Sequence, residues 1–177
     1  MALMQQLRKA MGNPKTGMAC NLYDKCTSIS MELDKRYEEI WKLEAYELSH
    51  IEKEISKLES LRCSIGENMR RRLNEISSTF LYFTNRAEFE RRVNEARELH
   101  RSECAEIDEK LRPYKAKLED TQNKIKELRT EYANYLVEVG FLDEQVAIRD
   151  PSKAREIHCK IKEFLYVFRE YHKISSI

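Results

Sequence analysis

Gly12 and Gly17 have the spacing that opens a phosphate-binding loop, in the segment GNPKTG. Such a loop needs a lysine directly after the second glycine, where this chain has Met18. Pro14 removes one of the backbone amides that would hold the phosphate, and the helical pattern of the sequence leaves no strand to aim the loop. We interpret the segment as a linker between helices, and we predict no nucleotide or dinucleotide site.

His100 and Cys104 are four residues apart, which places them on one face of a helix. An antiparallel register centred near residue 82 would put Cys63 roughly opposite His100, so that three zinc-type ligands could converge. A zinc site usually has four protein ligands or keeps one open catalytic position, and no fourth His or Cys lies nearby. Cysteine is also a good small core residue. We therefore predict core packing, with no metal site and no cofactor.

No arrangement typical of a catalytic site is present among the many carboxylates. The sequence has no His-Glu-x-x-His motif and no serine elbow, and a two-helix shaft is expected to offer no water-excluding pocket. His158 and Cys159 are neighbours on a predicted helix and therefore point in different directions. We predict that the protein is not an enzyme and has no catalytic residues or small-molecule substrate.

A basic and aromatic cluster is predicted where the chain reverses, at about Ser78 to Asn85, a segment that we call the tip. Seven arginines face five glutamates between Glu67 and Arg97, so this region carries a net charge of only +2. The arginines are compatible with a solvated ion-pair network or with contact to an anionic surface. The apolar tip favours a binding role, because exposed apolar clusters usually mark a contact. The predicted partner-binding residues are Phe80, Leu81, Tyr82, Phe83, Arg70, Arg71, Arg72, Arg91 and Arg92.

Two long stretches with apolar residues at steps of three and four predict the elements that hold these residues. The mean step of about 3.5 residues keeps one narrow seam facing a partner helix and is typical of a left-handed coiled coil. The first seam has a phase shift between Leu43 and Leu48, and the second has a stutter at His100 and Cys104. Pro113 is expected to kink or briefly break the second helix.

Turn and capping residues set the predicted ends of the helices. The segment SSTFLYFTN is rich in hydroxyl, β-branched and aromatic residues, which favour non-helical backbone. Asn85 followed by Glu88 has the spacing of a capping-box start, and Asp150 with Pro151 predicts the beginning of a third helix. The predicted helices cover about 18–78, 86–148 and 151–174.

From these elements we predict an all-α fold, an elongated antiparallel two-helix coiled-coil hairpin with a shorter third helix packed at its base. Residues 1–17 are predicted to be an N-terminal segment, and residues 18–177 a single helical coiled-coil domain. We also expect an aromatic cluster beside the seam, because Tyr132 and Phe168 lie equally far from position 150. Its predicted members are Tyr37, Trp41, Tyr132, Tyr135 and Phe168.

The composition favours long solvated helices. Charged residues make up 36% of the 177 residues, and only four are glycine and three proline, so turns are few. With 32 basic and 31 acidic residues, the net charge of +1 creates no overall field that would recruit nucleic acid or anionic lipid. Five cysteines without paired short spacings, and no apolar run suited to a signal peptide or membrane span, predict a soluble protein of the reducing cytoplasm.

The predicted function follows from this shape. We expect a non-enzymatic structural or adaptor coiled-coil protein, acting as a helical spacer or as a subunit of a larger protein assembly. Its expected partners are other proteins, bound through the coiled-coil faces and the tip in a homo- or hetero-oligomer. The alternative is a membrane- or nucleic-acid-binding helical module that acts through the basic aromatic tip. Salt separates the two, because a charge-driven contact weakens steeply as salt rises.

Overall fold

The computed structural model describes residues 2–13, 15 and 17–174, and it confirms that this part of the chain is all-helical, with no strand. Pro14 and Thr16, within the linker predicted at GNPKTG, lie outside the described residues. The helices are α1 (Ala2–Gly12), α2 (Gly17–Lys42), a π-helical segment (Leu43–Leu48), α3 (Ser49–Ser78), α4 (Leu81–Thr84), α5 (Arg86–Glu138), α6 (Glu144–Arg149) and α7 (Lys153–Ile174). None of the described helices combines the length and the apolar character that a membrane crossing requires.

The contacts of the chain group into two units. The first unit comprises Met1–Ala45 and Asn123–Ile177, and the second comprises Tyr46–Gln122. The predicted division into segment 1–17 and a single domain 18–177 stays a prediction.

The first unit is built around α1, α2 and α7, which contact one another, with α6 packed on α7. Its buried side chains come from every one of these helices and from the end of α5. They include Leu7, Ala10, Leu22, Cys26, Leu33, Leu136, Ala147, Ile161 and Phe164. Residues at the start of the chain therefore form part of this core.

The π-helical segment at Leu43–Leu48 coincides with the phase shift in the first apolar seam. A π-helix has i to i+5 hydrogen bonds and takes more residues per turn than an α-helix. The wider turn absorbs the five-residue step from Leu43 to Leu48, so that Leu43 at the start of the segment and Ile51 after its end are both buried.

Helix α5 ends at Glu138, ten residues before the predicted end at 148. Gly140 has φ +81°, in the left-handed region. The Phe141 amide donates to the Leu136 carbonyl and the Gly140 amide to the Val137 carbonyl, both at 2.9 Å, which is the Schellman pattern. The three- and four-residue apolar spacing continues through Val139, Leu142 and Val146, so the periodicity alone concealed this helix end.

Aspartate side chains mark the starts of α6 and α7. The Asp143 carboxylate accepts from the Gln145 amide (3.0 Å) at the start of α6. The Asp150 carboxylate accepts from the Ser152 amide (3.1 Å) just before α7, close to the predicted start of the third helix.

The second unit contains α3, α4 and the first part of α5. Arg62 pairs with Asp108 (3.3 Å) and Arg72 with Glu103 (3.8 Å), which joins the two long helices. Helix α5 continues through Pro113 without a break. The buried residues of this unit are few, namely Ile51, Ala96, Ile107, Leu111 and Thr121. Other seam residues are only half-buried, including Ile55, Leu58, Ile65, Met69 and Leu73.

The predicted aromatic cluster forms only in part. The Tyr37 and Tyr132 rings are 6.1 Å apart, but Phe168 stacks on Tyr23, with ring centroids 4.4 Å apart. Trp41 is 46% exposed. The count from position 150 was wrong because α5 ends at Glu138 and a separate short helix intervenes.

Candidate interaction site at the tip

Side-chain hydroxyls end α3 at the tip. The Ser78 hydroxyl donates to the Glu75 carbonyl (2.8 Å), and the Thr79 hydroxyl donates to the Ile76 carbonyl (2.6 Å). These bonds occupy carbonyls of the last turn and compete with continuation of the helix. Thr79 itself has extended backbone, with φ −80° and ψ 145°.

Asn85 starts α5 as the sequence predicts. Its side-chain oxygen accepts from the Glu88 amide at 3.2 Å, which satisfies one of the free amides of the first turn. The reciprocal half of a capping box is absent, because the Asn85 amide donates to the Leu81 carbonyl (2.8 Å). The Glu88 carboxylate instead binds arginines.

The aromatic residues of the tip are largely exposed. Phe80 is 80% exposed and Phe83 is 82% exposed. Tyr82 is half-exposed, and its ring makes edge contacts with the rings of Phe83 and Phe89, whose centroids are 5.2 Å and 5.3 Å from its own. Leu81 is half-buried. The four predicted tip residues therefore divide into two open phenylalanines and two residues that pack partly against their own unit.

Three of the five predicted arginines form ion pairs within the second unit. Arg91 bonds to Glu88 (2.7 Å) and Glu95, and Arg92 bonds to Glu88 (2.8 Å). The hydrogen bonds from Arg91 and then Arg92 lower the pKa of the Glu88 carboxyl to about 2. Arg72 pairs with Glu103, as described above. These guanidinium groups are thus held by carboxylates of their own chain.

Arg70 and Arg71 differ from the other three. Both are exposed, and neither has an ion pair within the described part of the chain. Their charges are therefore open to a partner. Among the nine predicted residues, Phe80 and Phe83 are the most exposed apolar side chains, and Arg70 and Arg71 are the arginines without an ion pair in the described part of the chain.

The three ligands considered for zinc do not converge. The Cys104 Sγ atom lies 3.6 Å from His100 Nδ1. Cys63 is exposed, and its neighbour Arg62 pairs with Asp108, eight residues beyond His100. The expected position of Cys63 opposite His100 was therefore wrong. Within residues 2–13, 15 and 17–174, no group of three His, Cys, Asp or Glu side chains could hold a metal ion.

A second polar cluster, which the sequence analysis did not anticipate, lies in the first unit. The Tyr132 hydroxyl and His158 Nδ1 are 2.6 Å apart, and both residues are buried. Asp34 and Lys162 complete the cluster, with Lys162 Nζ 2.5 Å from Asp34 Oδ1. The position of His158, three residues before the buried Ile161, was the available signal that it lies on the buried face.

The first unit also has a pocket, where a bare helical shaft was expected to have none. Its volume is about 220 Å³, and it lies between α2 and the end of α5. Charged side chains form most of its wall, which consists of Glu32, Lys35, Arg36, Glu39, Leu128, Glu131 and Tyr132. Glu32 is bound by Arg36 (2.8 Å), and the Arg36 guanidinium lies 4.8 Å from the Tyr135 ring centroid.

The tip thus presents open aromatic rings, and the arginines without an ion pair in the described chain, Arg70 and Arg71, precede it in α3. Comparison with known proteins found no matching family model, no matching curated protein and no matching solved structure.

Proposed function

We propose that this chain is a non-enzymatic coiled-coil adaptor or structural subunit, whose tip binds another protein of a larger assembly. The observation that carries the proposal is the exposure of Phe83 in α4 and of Phe80 just before it, between two long helices. Burying one such side chain contributes about 1.5–3 kcal/mol. Two exposed phenylalanines three residues apart can therefore act as the centre of an interface.

Arg70 and Arg71 are the proposed charged part of the same surface. They have no ion pair in the described chain, so an acidic group of a partner would not first have to displace an internal glutamate. Arg72, Arg91 and Arg92 have such glutamates, and we assign them mainly to holding their own helices. Exposed charges of this kind guide and orient association more than they add affinity.

We further propose that α3 and the first part of α5 form an antiparallel coiled-coil hairpin. The ion pairs Arg62–Asp108 and Arg72–Glu103 support this arrangement, because the residue number falls on one helix as it rises on the other. The half-buried seam of this unit also supports contacts through the coiled-coil faces, including homo- or hetero-oligomers, because its apolar residues retain accessible area.

A reducing cytoplasmic location is part of the proposal. All five cysteines are free thiols. Burial raises the pKa of the Cys26 thiol to about 11, so this group stays protonated and acts as a small apolar core residue.

The alternative function is binding to a membrane surface or to nucleic acid through the tip. One observation favours it: the sequence from Ile76 to Ala87 contains no acidic residue, and its aromatic rings are open. Aromatic and basic residues together suit both lipid headgroups and stacked bases. Flotation with anionic vesicles and filter binding with single-stranded nucleic acid, each titrated with salt, would reveal such a contact by its steep salt dependence.

The proposed protein contact is tested by quantitative capture from native cells. The variant carries Phe80→Ser, Leu81→Ser and Phe83→Ser, and the matched control carries Leu61→Ser and Leu99→Ser, two exposed leucines of the same unit. Both proteins should retain wild-type helicity. We expect the tip variant to lose a specific partner that the wild type and the control retain. Capture of the same partners by all three proteins would contradict the proposal.

A further inference from the structure

His158 occupies an unusual position among three helices of the first unit. It belongs to α7, is 5% exposed, and contacts Tyr132 of α5 and Asp34 of α2. Tyr132 is 4% exposed. The charged and titratable groups around the pair are Asp34 and Tyr37 from α2 and Arg155, Cys159 and Lys162 from α7.

The direction of the Tyr132–His158 hydrogen bond follows from the neighbouring carboxylate. Asp34 Oδ1 is an acceptor 3.5 Å from His158 Nε2 and favours the proton on that nitrogen, so the Tyr132 hydroxyl donates to Nδ1. His158 then accepts at Nδ1 and carries its own proton on Nε2. The Nε2 atom is buried and has no hydrogen-bond partner, although Asp34 Oδ1 lies 3.5 Å away. That carboxylate is held by Lys162, 2.5 Å from the same oxygen.

A second proton on His158 would disturb this arrangement. It would fill Nδ1, so that Tyr132 could no longer donate to the ring and its buried O–H would need another acceptor. The imidazolium would also place a positive charge in a buried site close to Lys162. Asp34 provides one opposing carboxylate, and it is already shared with that lysine.

We propose that His158 is a proton-sensitive latch: its neutral imidazole holds α7 against α5 and α2, and its protonation loosens this three-helix contact. The inference does not depend on the proposed function of the tip, because all the residues involved belong to the first unit. It gives the chain a response to acidification that acts on packing of the helices.

The sign of the pH dependence follows from the same groups. Burial, followed by the charge of Lys162, lowers the pKa of His158 below its ordinary 6.5. The unfolded chain therefore binds this proton more readily than the folded chain does. The stabilisation is complete above pH 6.5 and is lost as the pH falls from 6.5 through the lower pKa of the folded protein.

Proton NMR of the wild-type histidine rings tests the first step directly. The His158 Cε1–H resonance, assigned in the wild type by its nuclear Overhauser contacts with the neighbouring Tyr132 ring, should titrate with a midpoint below 6.5. A midpoint at or above 6.5 would overturn the proposal. This measurement needs only the folded wild type, so it decides the matter even if the variant unfolds.

Thermal unfolding and hydrogen exchange test the second step. Between about pH 7.5 and 5.5, the wild type and the exposed-site control His50→Asn should lose Tm by about 2–4 °C more than His158→Asn. Amides of α7 should exchange up to about tenfold faster per pH unit in the wild type, after correction for intrinsic rates. Equal losses of Tm in all three proteins would contradict the latch.

Discussion

The two units of the chain bury their apolar residues to different extents. In the first unit, α1, α2 and α7 cover one another, and large side chains such as Phe164 and Leu136 are completely buried. In the second unit, much of the seam of α3 is only half-buried, and Phe80 and Phe83 lie open at the tip. The first unit buries its apolar surface within the chain. The second retains surface that another molecule can cover, which is why we place the interaction there.

The largest expected effect comes from replacing one phenylalanine by alanine in each unit, which tests this contrast. Phe164→Ala should lower the free energy of unfolding by about 3–5 kcal/mol, because the side chain is 0% exposed and its removal leaves a cavity. Phe83→Ala, at 82% exposure, should change it by less than about 0.5 kcal/mol. Urea denaturation followed by circular dichroism measures both. Similar losses for the two variants would show that the tip is packed like a core.

A smaller effect is expected at the end of α5. Gly140→Ala should cost about 1–2 kcal/mol, because its φ of +81° is unfavourable for an L-residue and an added Cβ would lie 3.3 Å from Leu3 Cδ1. The matched control is Gly66→Ala in α3, where a Cβ meets open space. That change should stabilise the chain by about 0.5–1 kcal/mol. In thermal unfolding, Gly140→Ala should lower Tm and Gly66→Ala should raise it. A change of Tm in the same direction for both variants would contradict the assigned helix end.

These positions also show what the sequence could and could not predict. The helical class and the phase shift after Leu43 were readable, because periodicity reports directly on one face of a helix. The end of α5 was not, because Leu142 and Val146 continue the apolar spacing past Gly140. Because of that error, Phe168 was the expected neighbour of Tyr132. In the structure His158 contacts Tyr132, and Phe168 stacks on Tyr23.

At the tip, the sequence predicted a cluster of apolar and basic residues and could not rank them. Open aromatic rings were foreseeable from four apolar residues in a short turn. The division of the arginines depends on which carboxylates come within reach, as Glu88 does for both Arg91 and Arg92. Composition gave only their net charge, and side-chain geometry was needed to single out Arg70 and Arg71.

The smallest expected effect on stability separates these two groups of arginines. Arg91→Glu with Arg92→Glu breaks the ion pairs to Glu88 and Glu95, and it should lower Tm slightly. Arg70→Glu with Arg71→Glu breaks no ion pair of the described chain and should leave Tm unchanged, yet weaken partner capture most at low salt. Unchanged capture by the second variant would remove these two arginines from the interface.

Site-specific photo-crosslinking tests the central claim most directly. A benzophenone amino acid is placed at Phe83 in one protein and at Tyr166 of α7, which is also exposed, in the control. Our account predicts that position 83 crosslinks one defined protein in native cells, that position 166 does not, and that Phe80→Ser abolishes the product. Crosslinking of that protein from position 166 with none from position 83 would contradict the account.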